Sequence, residues 1–162
     1  LMDVRVFRDN RSIFQDTALN DATITKGAVA RVIDLAVYGD RMKMMEFSGD
    51  GVIVSTPTGS TAYSMSAGGP IVEPTAENLI ITPICAHALQ AKSFVLSADR
   101  GVAVRTQRQS RKSVYLPVDG GRAFRHSGGD VVELRNSQRH IELVRLTGRH
   151  FYEIVNQKLG RN

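Results

Sequence analysis

The chain has 162 residues, 42% of them hydrophobic, and a formal net charge of +5. This length accommodates one sizeable hydrophobic core but is cramped for two, so we expect a single domain over residues 1–162. No apolar run approaches the roughly 20 residues of a membrane-spanning helix, and residues 1–5 lack the charged-then-apolar layout of a signal peptide, which predicts a soluble cytoplasmic protein without a membrane partner.

Most segments show a hydrophobic period of two, which predicts strands rather than long helices. Residues 29–37 are apolar on most of both faces, which predicts a central strand, and Gly39-Asp40 predicts a turn into a hairpin strand over 41–47. Further short strands are expected at 22–24, 52–54, 78–84, 94–96, 102–105, 114–118, 131–134 and 141–146. Their close spacing, with Gly, Asp and Ser at the breaks, predicts a mainly β, sandwich-like domain.

Two short helices complete the prediction. One covers residues 59–66, and the other covers 150–158, where Phe151, Ile154 and Val155 share helical spacing. The lone Cys85 cannot form an intrachain disulfide, and its apolar neighbours predict a buried structural thiol.

The positive charge is scattered along the chain. Its densest group, Arg105, Arg108, Arg111 and Lys112, lies in a polar stretch without aromatic residues, which predicts a solvated hairpin connection and no nucleic-acid partner. The four histidines show neither a triad pattern nor the spacing of a metal site, and the serines lack a GxSxG motif. A hydrolase and a protein-built metal centre are therefore not predicted.

A dense cluster of small hydroxyl residues and glycines follows the predicted strand at 52–54. The segment from residue 49 to 70 reads GDGVIVSTPTGSTAYSMSAGGP. Unpaired backbone N–H groups at the start of the helix that follows would favour an anionic ligand, and Gly59, Gly68 and Gly69 allow close approach of backbone to that ligand. The segment therefore predicts a ligand cradle.

This segment resembles the longest motif of the NAD kinase family, approximately GDG-x-x-x-STPTGSTAYS-x-SAGGP. Three shorter resemblances occur in the family's order: Leu19-Asn20-Asp21 with its NE/D motif, Thr82-Pro83-Ile84-Cys85 with its TPI strand, and Val118-Asp119-Gly120 with its DGQ turn. Gly121 stands where the family usually has Gln, so we assign that position no role. The resemblance covers residues 18–121, and it also implies an all-β C-terminal domain.

The family's GGDGT motif, whose aspartate is the expected catalytic base, does not occur in the chain. The resemblance therefore implies a C-terminal NAD-binding domain that lacks the N-terminal α/β domain and is inactive alone. The complete enzyme would use ATP with magnesium to phosphorylate the 2′-hydroxyl of the adenosine ribose of NAD, giving NADP.

Asn20 and Asp21 alone would be ordinary turn residues, since both side chains bond nearby backbone. The resemblance implies instead that Asn20 contacts the adenine and that Asp21 accepts a hydrogen bond from a ribose hydroxyl. Thr58 and Thr61 would bind the adenosine end or, alternatively, cap the helix, and Ala62 would offer a backbone contact.

Three further residues have two interpretations each. Tyr63 is either a core aromatic or, by resemblance, a neighbour of the ribose that receives the phosphate. Ser66 would reach toward the nicotinamide. Asp50 is either a turn residue or, by resemblance, part of the nicotinamide side of a site completed across a subunit interface, which makes a dimer or tetramer plausible.

Two alternatives remain open. The chain could be a stand-alone NAD(P)-binding or oligomerisation module, or a lipid kinase relative, although no apolar groove motif for an acyl chain is evident. The sequence leaves open whether the phosphoryl donor is ATP, another nucleotide or polyphosphate, and whether NAD or NADH is the acceptor.

Overall fold

The computed structural model describes residues 1–27, 32–89, 91–107, 114–144, 146 and 148–160. In chain order, the strands within this part are β1 (Met2–Arg8), β2 (Arg11–Ala18), β3 (Asp21–Lys26), β4 (Ile33–Gly39), β5 (Met42–Gly49), β6 (Gly51–Ser55), β7 (Leu79–Ile84), β8 (Phe94–Leu96), β9 (Val102–Thr106), β10 (Val114–Leu116), β11 (Phe124–His126) and β12 (Val131–Asn136). The helices are a 3₁₀ turn (Thr58–Thr61), α1 (Tyr63–Ser66) and α2 (Phe151–Leu159).

The strands form two six-stranded antiparallel sheets. The first sheet has the order β2-β1-β12-β9-β4-β5, and the second has the order β11-β10-β3-β6-β7-β8. Buried apolar side chains of both sheets belong to one cluster, among them Val4, Leu35, Val104, Leu134, Ile24, Val52, Val54 and Ile81. The two sheets therefore pack face to face as a sandwich, which confirms the predicted mainly β class.

Two-residue turns set the hairpins of the first sheet. Asp9 and Asn10 join β1 to β2 with φ of 47° and 62°, and Asp40 and Arg41 join β4 to β5 with φ of 44° and 72°. Positive φ at both central residues matches the right-handed twist of the strands, and Asp and Asn tolerate it. The predicted hairpin after Gly39 is confirmed.

The face of the second sheet that points away from the core is also buried. Thr23, Ile53, Ser55 and Thr82 lie on this face with at most 4% exposure. The segment from 57 to 72 folds back over this face. A hydrogen bond of 2.9 Å between the hydroxyls of Ser64 and Thr82 joins the two. Burial on both sides explains why the strand at 52–54 is continuously apolar.

Most predicted strands are confirmed with shifts of one or two residues at their ends, and so is the helix at the end of the chain. The predicted helix at 59–66 is instead the 3₁₀ turn followed by the single turn α1. Ala62 interrupts it with φ of −98° and ψ of −130°. No helix in the described ranges is long and apolar enough to span a membrane.

The predicted strand at 141–146 is wrong. Residues 141–144 and 146 form no strand, and Ile141, Leu143 and Val144 are 52%, 63% and 84% exposed. Alternating apolar residues favour a strand only where a neighbouring strand pairs with the backbone, and the described ranges place none there. The buried thiol is also wrong, since Cys85 is exposed in a turn with φ of 46°.

Three strands were missed. β1 has a clear period of two, with buried Met2, Val4 and Val6 alternating with polar or half-buried residues, so this signal was available. β2 has a mostly exposed pattern, and β11 has only three residues, so neither carries a strong period. The part of the predicted central strand at 29–31, and Arg108, Arg111 and Lys112 of the basic group, lie outside the described residues.

Candidate functional site

The predicted site residues near the start of β3 lie where the two sheets are connected. Leu19 and Asn20 alone join β2 of the first sheet to β3 of the second. Thr56, which follows β6, ties this connection to the motif segment: its N–H donates to the Asn20 carbonyl at 2.9 Å, and its hydroxyl donates to the Leu19 carbonyl at 2.6 Å. Two segments 36 residues apart in sequence thus share one backbone junction.

The 3₁₀ turn packs directly on this connection. A Cβ at Gly59 would lie 2.0 Å from the Asn20 carbonyl oxygen, which no side chain could tolerate. The Gly59 N–H donates to the Thr56 hydroxyl at 3.1 Å. The glycine in the middle of the motif therefore permits the 3₁₀ turn to approach the backbone of Asn20 closely.

Asp119 holds the same connection from its other side. Its carboxylate accepts hydrogen bonds from the N–H groups of Leu19 (2.7 Å), Asn20 (2.7 Å) and Asp21 (3.0 Å). Asp119 and Gly120 have φ of 49° and 68°, and the residue after them closes the turn onto the Val118 carbonyl at 2.9 Å. Positive φ at both central positions makes this a type I′ turn, for which Asp-Gly is a preferred sequence.

Asp21 is a buried carboxylate with unused hydrogen-bonding capacity. The residue is 7% exposed, and its one hydrogen bond to a side chain in the described ranges is a long one of 3.5 Å from the Thr23 hydroxyl. Burial, and secondarily the charge of Asp119, raises the pKa of Asp21. Ser55, its cross-strand partner, is fully buried, and its hydroxyl has no hydrogen-bond partner among the described residues. Buried polar groups normally have partners, so this pair suits a ligand that bears hydroxyl groups.

The remaining residues of the motif segment differ in exposure. Thr61 and Ala62 are half-buried, whereas Tyr63 is 48% exposed and Ser66 is exposed. The interpretation of Tyr63 as a core aromatic is therefore wrong. Within the described ranges neither Thr58 nor Thr61 caps a helical segment, so the alternative capping role of these two threonines is also wrong. Because each helical segment has only four residues, it has little helix dipole to offer an anion.

Asp50 lies far from these residues. It occupies the tight connection between β5 and β6, with its carboxylate 3.1 Å from Lys26 Nζ. Its carbonyl accepts a hydrogen bond from the Thr25 hydroxyl at 3.1 Å. β3 and β6 run antiparallel from Asp21 opposite Ser55 to this far end, which is a separation of about 13 Å along the strand. The structure therefore does not bring Asp50 together with Asn20 and Asp21 within one chain.

A cavity of about 670 Å³ lies next to the junction. Leu19, Thr56 and Thr58 line it on one side, and Arg100, Arg135 and His140 are among the residues lining the other. Its volume lies within the usual range for small-molecule sites. Thr58 is the predicted site residue that reaches both the cavity and the junction. Across the described ranges, no group of three or more His, Cys, Asp or Glu side chains could hold a metal ion.

Sequence reasoning missed three residues that build the site. Thr56 and Ser55 belong to the quoted motif but received no role, and Asp119 was noted only as part of an Asp-Gly turn. The dipeptide predicts the turn, but no local pattern indicates which amides a carboxylate 98 residues away will bind.

The sequence of this chain is similar to those of several known proteins. A family model described as the ATP-NAD kinase C-terminal domain matches residues 19–146. The NAD kinase of Acetivibrio thermocellus is 41% identical over 159 residues, which cover 98% of this chain and 55% of that protein. The NAD kinase of Symbiobacterium thermophilum is 45% identical over 160 residues, covering 99% and 56%. The chain thus spans about half the length of the curated relatives it matches.

Solved structures of related kinases share the fold of this chain. The crystal structure of yeast NADH kinase complexed with NADH superposes with a TM-score of 0.88 at 27% identity, covering 99% of this chain and 49% of that one. An NAD kinase from Archaeoglobus fulgidus in complex with ATP gives a TM-score of 0.68 at 28% identity, covering 85% and 51%. The similarity confirms the resemblance and the sandwich-like fold inferred from the sequence.

Proposed function

The chain belongs to the NAD kinase family, and from this membership we propose that it forms the NAD-binding part of an ATP-dependent NAD kinase. The reaction transfers a phosphoryl group to the 2′-hydroxyl of the adenosine ribose of NAD and produces NADP. The chain matches about half of its relatives' length, and the proposal assigns the catalytic aspartate and the ATP site to their other half.

The observation that carries the proposal is the under-satisfied carboxylate of Asp21 beside the junction of Asn20 and Gly59. In this role Asp21 accepts a hydrogen bond from a ribose hydroxyl, and Asn20 contacts the adenine. The chemistry is sound because a buried acceptor regains a partner that the described ranges do not provide. Residues of the motif segment hold the rest of the nucleotide: Thr58, Thr61 and Ala62 at the adenosine end, Tyr63 at the phosphorylated ribose, and Ser66 toward the nicotinamide.

In this mechanism the residues of this chain act by positioning. Fixing the acceptor ribose against an incoming phosphate can lower the barrier considerably without any covalent step on the protein. Proton removal from the 2′-hydroxyl belongs to the base outside the chain. Magnesium neutralises phosphate charge when it arrives with ATP. Because no group of three potential metal ligands occurs in the described ranges, we assign it no residue here.

Asp50 enters the proposal through a second copy of the chain. Gly51, the residue next to it, already lies about 13 Å along the strand from the pair of Asp21 and Ser55, which supports a role in a neighbouring subunit's site rather than in its own. The proposal therefore includes a dimer or tetramer in which Asp50 faces the nicotinamide side of the partner's nucleotide. A cytoplasmic location also remains part of it, on the grounds of the sequence.

Calorimetric titration of the 162-residue chain with NAD and NADP tests the proposal. We expect saturable binding that is lost in Asp21→Ala and Tyr63→Ala and kept in Asp16→Ala, which removes an exposed carboxylate on β2. No NADP should form when ATP, magnesium and NAD are added to the chain alone. Absence of binding at millimolar ligand, or binding that ignores Asp21→Ala, would overturn the assignment.

A second experiment separates the kinase from a stand-alone NAD(P)-binding module. The chain is joined in frame to the unmatched N-terminal half of the Symbiobacterium thermophilum relative, and ATP-dependent NADP formation is measured. Turnover supports the kinase. A folded fusion that binds NAD but forms no NADP favours the module.

A further inference from the structure

The Asp-Gly turn at 119–120 lies outside the motif segment, yet its aspartate contacts three consecutive residues of the site. Three consecutive N–H groups converge on one carboxylate: Leu19 N on Oδ2, and Asn20 N and Asp21 N on Oδ1. Three successive backbone N–H groups are therefore bound by the carboxylate of Asp119.

Every backbone polar group of the connection has a partner. Asp119 receives the three N–H groups and, through its own N–H, donates to the Asp21 carbonyl at 2.9 Å. The carbonyls of Leu19 and Asn20 accept from Thr56. The backbone of residues 19–21 is therefore held from both sides, and among the described residues the side chains of Asn20 and Asp21 retain hydrogen-bonding capacity for a ligand.

The arrangement also has an electrostatic cost. The charge of Asp119 acts on the carboxylate of Asp21, which is already buried. A turn whose purpose is only to connect β10 to β11 would be served by Asn-Gly equally well, without this repulsion. A carboxylate instead offers two oxygens that accept three N–H groups at 2.7 to 3.0 Å, and such charge-assisted bonds are stronger than neutral ones.

We propose that Asp119 is a positioning residue of the nucleotide site, which fixes the side chains of Asn20 and Asp21 for binding by clamping the backbone that carries them. This inference rests on the proposed function, since the ligand that the two side chains meet is the adenosine part of NAD. Asp119 itself touches no ligand in this account.

The test compares Asp119→Asn with Asp9→Asn. Asn tolerates positive φ, so each substitution keeps its turn while removing one charge. At 119 a single amide oxygen remains for three N–H groups. Asp9 has φ of 47° in the β1–β2 turn of the other sheet, so it matches Asp119 in residue type and backbone conformation but not in location. Asp119→Gly, which also accommodates positive φ, removes the acceptor completely.

Two readouts are taken at a temperature where circular dichroism shows every variant folded. The first is the NMR coupling constants that report the backbone angle φ of Asn20 and Asp21, which need no ligand. The second is the Kd for NAD. In the wild-type chain we expect a single φ for both residues, because their backbone groups are held from both sides. Asp119→Asn should give averaged couplings and at least tenfold weaker NAD binding, Asp119→Gly should show the larger effect, and Asp9→Asn should match the wild type.

Unchanged φ couplings in Asp119→Gly would overturn the proposal, whatever the NAD affinity. Averaged couplings with unchanged NAD affinity would overturn it too, because the clamp would then have no effect on binding. A wild-type chain that does not bind NAD would instead overturn the proposed function. In that case the coupling constants alone would decide whether Asp119 positions residues 20 and 21.

Discussion

Asp21 and Ser55 stand directly opposite each other on β3 and β6, on the face of the sheet that points away from the core. Directly opposed residues share a face with short Cβ separations, so a buried carboxylate and a buried hydroxyl with no partner in the described ranges are neighbours here. Both are polar groups withdrawn from water without full compensation. Such groups cost stability in the free protein and become favourable when a ligand supplies partners.

Ser55→Ala should therefore stabilise the ligand-free chain. Removing a buried hydroxyl that has no partner relieves a desolvation penalty of about 1 kcal/mol, which corresponds to a rise in Tm of a few degrees. The matched control is Ser64→Ala, because the Ser64 hydroxyl is equally buried but paired with Thr82 at 2.9 Å. That change should destabilise by about 1 kcal/mol. Urea unfolding of both variants measures their free energies of unfolding. An equal loss of stability in the two variants would contradict the prediction.

Gly59→Ala should disrupt the junction. The new Cβ would lie 2.0 Å from the Asn20 oxygen and 2.4 Å from its carbonyl carbon, and backbone atoms cannot move aside cheaply. We expect a loss of about 1–3 kcal/mol, as for overpacking elsewhere, together with loss of NAD binding. Gly148→Ala is the control, since its Cβ would meet no atom within 4 Å. Thermal unfolding and titration are the measurements, and a neutral Gly59→Ala would refute the contact.

Asp50→Ala should leave NAD binding to the isolated monomer within about twofold, because the residue lies at the opposite end of β6 from Asp21. The half-buried pair with Lys26 still has access to solvent and contributes at most about 1 kcal/mol, so the variant should fold normally. Asp21→Ala, in contrast, should weaken binding at least tenfold. Titration combined with sedimentation, which reports the oligomeric state, separates the two cases. A large effect of Asp50→Ala in a proven monomer would contradict the proposed cross-subunit role.

His126 predicts a dependence of stability on pH. The residue is 2% exposed, neither ring nitrogen has a partner among the described residues, and burial lowers its pKa below the ordinary 6.5 despite the opposing charge of Asp130. A depressed folded-state pKa means that the unfolded chain binds the proton first. Stability is therefore complete above pH 6.5 and falls as the pH drops, by up to about 1.4 kcal/mol per pH unit, until folded His126 itself titrates.

His126→Phe should remove this slope, whereas His140→Phe, at an exposed position, should keep it. Urea unfolding between pH 5 and 8 provides the comparison. An identical slope in wild-type and His126→Phe chains would show that another group is responsible.

The β period, the Gly39-Asp40 turn and the motif segment are local properties, and they sufficed for the class of fold, most strands and the choice of most candidate site residues. The hydrophobic period alone gave a wrong strand prediction at 141–146, because a strand also requires a neighbouring strand with free backbone groups. The prediction of one helix over 59–66 was wrong as well. There the close contact of Gly59 with Asn20 is a tertiary constraint that helix propensity does not contain.

The sequence by itself determined the list of candidate nucleotide-binding residues, because residue type and motif order carry that information. Only the tertiary structure decided which of them meet. It joined Asn20 and Asp21 to the motif through Thr56 and Gly59, moved Asp50 to the far end of the sheet, and recruited Asp119 from 98 residues away. The physical reason is that sheet pairing and backbone hydrogen bonds are set by partners distant in the chain, so proximity in space has no counterpart in local pattern.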